Sequence, residues 1–579
     1  MIQENDLIDQ ANSGTLHRLI LDNYERGNDA DDAAFVTLAV DLHNNGTLDL
    51  LSALVPEALE EAKGFHFFTL QQFYCSAIPR LDVEPKPLMS AVSALVTAGG
   101  NDGMATAPNA AYRDWCAVKA ERPVAALALI EAGDPEAKDY LSLSLEAGAK
   151  LDLRAYMERS IAYVRDMPEF RFGALTALSR FESVPAIDLA RAALTQIAEL
   201  ARTETDDLVR THILAATVGL YAQSPTMLHK KALGLMSKSV ELRGEHVLHH
   251  AAAVLFSHRQ HLSDEMIEVL LSALEEVKPS NLGTINSLDV GLSQLVKSGQ
   301  GQRVSEFLEG IFQAHPDALS FKQFDSVGYA LMSSERVLAE DMAVRWLMCG
   351  NQDLASAISS LLQGSTQNPT LFEVDIAPYS LSDNEALFLA RKAVGWFFFH
   401  PITAASLIIC ILRSVKGAMA ETIGDLLFEP LLLNYSGELR EHLSARIKGP
   451  KDRAKPHIRR AVAKLDAYLD DLRAIGFVEE LEPSESERLI ERKQQSEQIR
   501  QIQKLAEQSS VLLPLISKSI VLHGNGSIGY RRGADGKLQR HAMKMGGFST
   551  SWEAPRLQAI DPFGVEMQLR QFRSERLAA

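Results

Sequence analysis

Cysteine is scarce: four residues, Cys75, Cys116, Cys349 and Cys410, are scattered through apolar stretches of a 579-residue chain. Neither a metal-binding spacing nor a disulfide framework can be drawn through them, which fits a reducing cytoplasm. Aromatic residues are few, 7% of the total, and strand-like alternation is missing until the C-terminal end, so the composition is mostly α. The opening MIQENDLIDQ has neither the basic start nor the apolar core of a secretion signal. No P-loop, zinc finger, nucleophile elbow or Ser-His-Asp order can be read, which moves the expectation away from an enzyme and leaves no cofactor implied. Positive charge is also short: 58 Lys and Arg face 75 Asp and Glu, a formal net charge of −17. An acidic body argues against broad nucleic-acid binding, because phosphate contacts need clustered cations.

What is present is helix. Ser382 to Lys416 is the most apolar stretch, and Ser382 with Glu385 spells a capping box at a helix start. His400-Pro401 ends that helix, and Pro401 suits the first position of another running through Leu407, Ile408, Ile411 and Leu412. Ala393 to Leu412 carries no formal charge and approaches the length of a membrane span. A kink and a polar ring at its midpoint favour a buried helical pair instead, so no membrane partner is expected.

Before residue 120 short helices alternate with glycine breaks. From Glu121 a layout recurs in which an acidic or proline turn is followed by an apolar residue, then Arg or Lys, then small residues and Leu. Phe170-Arg171 with Ala174, Ala177 and Leu178, and Val209-Arg210 with Leu214, Ala215 and Val218, carry it; Ala137-Lys138 with Leu141 and Leu145 is looser. First helices begin near Pro185, Pro225, Ser263, Gln302 and Glu335, about 40 residues apart, a period typical of two-helix solenoid repeats. Over about residues 121–416 the chain resembles the HEAT-repeat family. The resemblance implies paired helices crossing at small residues, with a charged side chain tying one turn to the next.

Past Gly437 the character changes. Ile458, Val462, Leu465, Leu469 and Leu472 make a narrow seam like a short coiled coil, and Ser484 with Glu487 caps a highly charged helix. A basic cluster, Arg446, Lys448, Lys451, Arg453, Lys455, Arg459 and Arg460, is opposed within its span only by Asp452. In the last 70 or so residues, Ser519–His523, Ile528–Arg532, Leu538–His541 and Gly564–Phe572 alternate like strands around Asn525-Gly526 and Asp535-Gly536 turns, which predicts a small β-meander. Gly524, Gly526 and Gly529 spell GxGxxG, but no helix can open after them, so a hairpin turn is the reading.

Five histidines fall in GEHVLHHAAAVLFSHRQH: His246, His249, His250, His258 and His261. Glu245 and His249, or His246 and His250, stand one helical turn apart and are the candidate metal ligands. They resemble the His-Glu pairs of HEAT-like di-iron hydroxylases, with the order reversed.

The expectation is therefore a mostly α protein, an α-solenoid of antiparallel helix pairs (HEAT- or armadillo-like) with a small C-terminal β-meander. Its parts are an irregular helical region (1–120), helical repeats (121–436), charged helices (437–510) and a basic β-rich module (511–579). The function expected is that of a cytoplasmic, non-catalytic scaffold presenting an acidic repeat surface to protein partners. A second reading is nucleic-acid binding through Lys451, Arg453, Lys455, Arg459 and Arg460, and through Arg531, Arg532, Lys537, Arg540 and Lys544. A third is a metal-dependent enzyme built on the Glu245–His261 cluster.

Overall fold

The computed structural model describes residues 3–24, 30–62, 65–100, 102–363, 369–476, 478, 482–509, 526–532, 538–544 and 553–577. The chain divides into two compact units, Met1–Met342 and Ala343–Ala579.

The first unit is built from helices that pack on their second neighbours in sequence. Phe65–Ala77 (α1), Ala107–Cys116 (α2), Leu141–Leu151 (α3), Arg171–Arg180 (α5), Asp207–Gln223 (α7), Glu245–Ser257 (α9), Leu282–Lys297 (α11) and Asp325–Ser334 (α12) form one row. Leu153–Asp166 (α4), Ile187–Thr203 (α6), Pro225–Val240 (α8) and Asp264–Leu274 (α10) form a second. Helices begin at Ile187, Pro225, Asp264, Gly301 and Arg336, within two residues of the starts read from the sequence. The chemistry that starts them is local: the Ser263 hydroxyl accepts from the Met266 amide, and proline opens α8.

The layout that marked the repeats has physical content. Ala174 and Ala177 of α5 are fully buried, where larger side chains would hold neighbouring helices apart. In α7, Gly219 lies so close to α5 that a Cβ would stand 2.0 Å from the Ser179 carbonyl oxygen. Arg210, 3% exposed, supplies the tie: its guanidinium donates to the carbonyls of Glu204 (2.7 Å), Ser239 (3.1 Å) and Lys238. Those carbonyls lie at the ends of α6 and α8, where helices leave acceptors unsatisfied. Arg122 does the same for Trp115 and Leu81, both at 2.8 Å. Aspartates work at the other ends. Asp207 accepts from the amides of His246 and Val247 at the start of α9, and buried Asp289 accepts from those of Ser326 and Val327 at the start of α12.

In the second unit, Asp383–Phe397 (α13) opens with the Ser382–Glu385 capping box complete, and Pro401 opens Pro401–Ser414 (α14). Every residue of α14 from Thr403 to Leu412 is buried, which accounts for the uncharged run: the helix is surrounded by protein. Among the described residues no helix is long and apolar enough to cross a membrane. Gly417–Leu426 (α15), Glu438–Lys448 (α16) and Lys455–Ile475 (α17) follow, α17 burying Ile458 and Leu465 of its seam with Ala461 beside them, while Val462, Leu469 and Leu472 are half-buried. In Glu485–Ser509 (α18), Leu489, Ile499, Ile502 and Leu505 are all more than half exposed.

No β-meander forms. Gly526–Arg532 (β1) pairs antiparallel with Leu538–Lys544 (β2), Arg532 opposite Leu538, as a two-stranded sheet, and Ser519–His523 lies outside the described residues. The segment expected as a further strand, Gly564–Phe572, belongs to a helix, Pro562–Ser574 (α20), which follows the short helix Arg556–Ile560 (α19). The Asp561 side chain accepts from the Gly564 amide, Pro562 takes the first turn, and Val565, Leu569 and Phe572 form a stripe at spacings of four and three. Alternation of Val565, Met567 and Leu569 was thus half of a helical pattern. That stripe lies on α13, where Lys392 Nζ donates to the Arg573 carbonyl (2.5 Å) and Arg573 Nε donates to the Gly395 carbonyl (2.6 Å). Ahead of α19, the Glu553 carboxylate accepts from the Gly437 and Glu438 amides, capping α16.

Candidate binding surfaces

The first row of helices carries a polar ladder. Asp114 pairs with Lys150, and the buried Glu146 carboxylate accepts from Arg180 (2.8 Å) with Arg113 close by. Further along, ion pairs give way to neutral contacts: Thr176 with His212 (3.1 Å), and His249 with Thr284 (3.3 Å). Between α5, α7 and α9 this face sinks into a groove of about 410 Å3, lined among others by Thr176, Arg180, His212, Ala215, His250 and His258.

Apart from the Arg180 guanidinium, which is held at Glu146, the groove offers lone pairs more than donors. The Thr176 hydroxyl gives its one proton to the Phe172 carbonyl (2.8 Å), so toward His212 it accepts. His212 is therefore protonated at Nδ1, and its Nε2 keeps a lone pair. The hydroxyls of Thr211 and Ser179 likewise donate to backbone carbonyls, of Asp207 and Thr176. The imidazoles are uncharged near neutrality. Burial lowers His212 and His258, and burial together with the nearby rings of His212, His258 and His249 lowers His250 to about 4. Phe172 packs edge-on against His212 with ring centres 4.9 Å apart and is 40% exposed, adding an apolar rim.

The four residues read as metal ligands part company. Lys278 pairs with Glu245 at 2.7 Å, and by that bond and its charge holds the Glu245 carboxyl below the usual range. His246 is exposed, His249 faces Thr284, and only His250 enters the groove. Among the described residues no group of three or more His, Cys, Asp or Glu is placed to hold a metal ion. Sequence reasoning missed His212, which has no histidine near it in the chain. The signal was there: His212 and His250 are 38 positions apart, close to one repeat, so both fall at the same level of successive helices.

In the second unit the basic cluster is sorted by its neighbours. Arg460 pairs with Glu421 (3.0 Å), and Arg446 lies 3.7 Å from Glu373. Lys455 Nζ donates to the Gly449 carbonyl (2.7 Å), closing the loop between α16 and α17. Asp452 is engaged by Arg413 (2.8 Å) and by the Ala454 amide, and that pairing holds its carboxyl below the usual range. Lys448, Lys451, Arg453 and Arg459 are exposed, with no acidic partner among the described residues. Of the distal basic residues, Arg540 is exposed on β2, Arg531, Arg532 and Lys544 lie in strands whose side chains fall outside the description, and Lys537 lies outside the described residues.

No protein-family model, no curated protein and no solved structure matches this chain.

Proposed function

We propose that this chain is a non-catalytic scaffold, a HEAT-like α-solenoid in its first unit, whose helical row holds a segment of a protein partner in the groove between α5, α7 and α9. The alternate packing of helices, the small residues at their crossings and the Arg210 tie support the solenoid reading. The observation that carries the binding reading is the groove itself. Three successive helices of one row contribute neutral imidazoles, hydroxyl lone pairs and the Arg180 guanidinium to a single recess, with Phe172 packed on His212 beside it. Such a lining fits a segment that brings its own N–H and O–H donors together with an apolar side chain, since unmatched polar groups lose affinity on burial.

The test fills the recess. Ala215 lines it and is half-buried, so Ala215→Trp occupies the volume a partner side chain would take. A protein partner is expected to co-purify stoichiometrically with the native chain and to fall about tenfold or more with the variant, at unchanged helicity and melting temperature. Failure of any stoichiometric partner to appear, or equal recovery with both proteins, would overturn the reading.

A further inference from the structure

We infer that the loop between α16 and α17 binds the phosphodiester backbone of a nucleic-acid duplex, through Lys448, Lys451, Arg453 and Arg459. This activity is separate from the groove of the first unit and does not depend on it.

Around the same helices other cations are neutralised by a carboxylate: Arg413 has Asp452, Arg440 has Asp466, Arg460 has Glu421 and Lys464 has Asp425. The four named residues have none among the described residues, and they fall within a twelve-residue stretch. The one acid of the loop, Asp452, is committed to Arg413 and to the Ala454 amide. At physiological ionic strength charges further off than about 8 Å are largely screened, so the net charge of −17 does not cancel a local positive patch.

The cations also sit on a rigid loop. The loop is closed by the Lys455 bond to Gly449 and pinned by Ala454 and Ile458, both almost fully buried. The cations are thus presented on a fixed frame and only their side chains must be ordered on binding.

The surroundings of the patch favour a nucleic acid over an acidic protein. Protein interfaces draw their affinity from buried apolar and aromatic anchors. Between Phe399 and Ile475 no large apolar side chain is exposed, so the patch offers charge and nothing to bury. A phosphate backbone asks for nothing more. The same lack argues for a duplex over a single strand, whose bases would need aromatic platforms to stack on.

Fluorescence anisotropy with a labelled 30-base-pair DNA duplex tests this on the full-length chain. Four phosphate contacts predict a slope of about −3.6 in log affinity against log salt, that is, a loss of about 150-fold between 50 and 200 mM. Replacing the four residues with Gln is expected to abolish both binding and slope, whereas Arg453→Lys with Arg459→Lys retains them. No binding of the duplex in 50 mM salt would overturn the inference. So would undiminished binding by the Gln variant, which would shift the activity to the Arg531–Lys544 hairpin. Displacement by polyglutamate more readily than by unlabelled duplex would also overturn it, in favour of an acidic protein partner.

Discussion

Acid should unfasten the first unit at His250. Burial and three neighbouring imidazoles hold this side chain at about 4, against 6.5 for an unhindered histidine. Between those values the unfolded chain carries a proton that the folded chain refuses. Stability tied to His250 is therefore complete above pH 6.5, is lost as pH falls through the window from 6.5 to 4, and is constant below it. One unit of pKa difference corresponds to about 1.4 kcal/mol, so the full loss is about 3.5 kcal/mol, and about 2 kcal/mol of it has gone by pH 5. His250→Gln keeps a polar side chain and cannot take the proton. Comparing urea unfolding of native and variant proteins at pH 7 and pH 5, followed by hydrogen exchange in α9, isolates the term, because His212 and His258 contribute to both. The urea slope rises with the surface exposed on unfolding, so the midpoint of the native protein should fall further than that of the variant by about 2 kcal/mol divided by the slope measured for this unit. Equal falls would show that the proton finds His250 as readily in the folded chain as in the unfolded one, and would refute the buried, histidine-crowded environment.

Two other perturbations test the helix crossings. Gly219→Ala sets a methyl group against the Ser179 carbonyl, which cannot swing away, and should cost about 2–3 kcal/mol in urea unfolding; Gly234→Ala, with nothing within 4 Å, should be neutral or gain up to about 1 kcal/mol. Arg210→Met keeps the bulk of the buried stem but leaves three carbonyls without their donor, and a loss of about 3 kcal/mol is expected in the same assay; a change under about 0.5 kcal/mol would mean that water replaces the guanidinium freely.

Features decided within a turn or two of chain were legible in the sequence. The Ser382–Glu385 box, the prolines opening α8 and α14, and the spacing of about 40 residues between helix starts all rest on local backbone chemistry, and the structure has each of them. Arg210 was readable as a tie because its apolar-basic pair recurs in Phe170-Arg171. What escaped depends on distance through space. Lys451 and Arg460 look alike in sequence, yet only Arg460 lands beside a carboxylate, from a helix 39 positions earlier. The α20 segment was misread because nine residues accommodate two periods equally well, and the decision lies with α13, which receives the Val565–Leu569–Phe572 stripe. The metal expectation failed to gather its residues for a related reason: neighbours one turn apart on α9 point to Lys278 in the loop after α10, to Thr284 of α11 and to the groove.

The docking of α20 on α13 bears on how the protein is made. Gly395 and Arg573 meet although 178 positions separate them, and ribosomes add about 5–20 residues each second. For roughly 9 to 36 seconds, then, a nascent α13 waits with its flank bare while its cover is still being translated. During that interval the half-finished unit is open to chaperones, and to other growing chains on the same message.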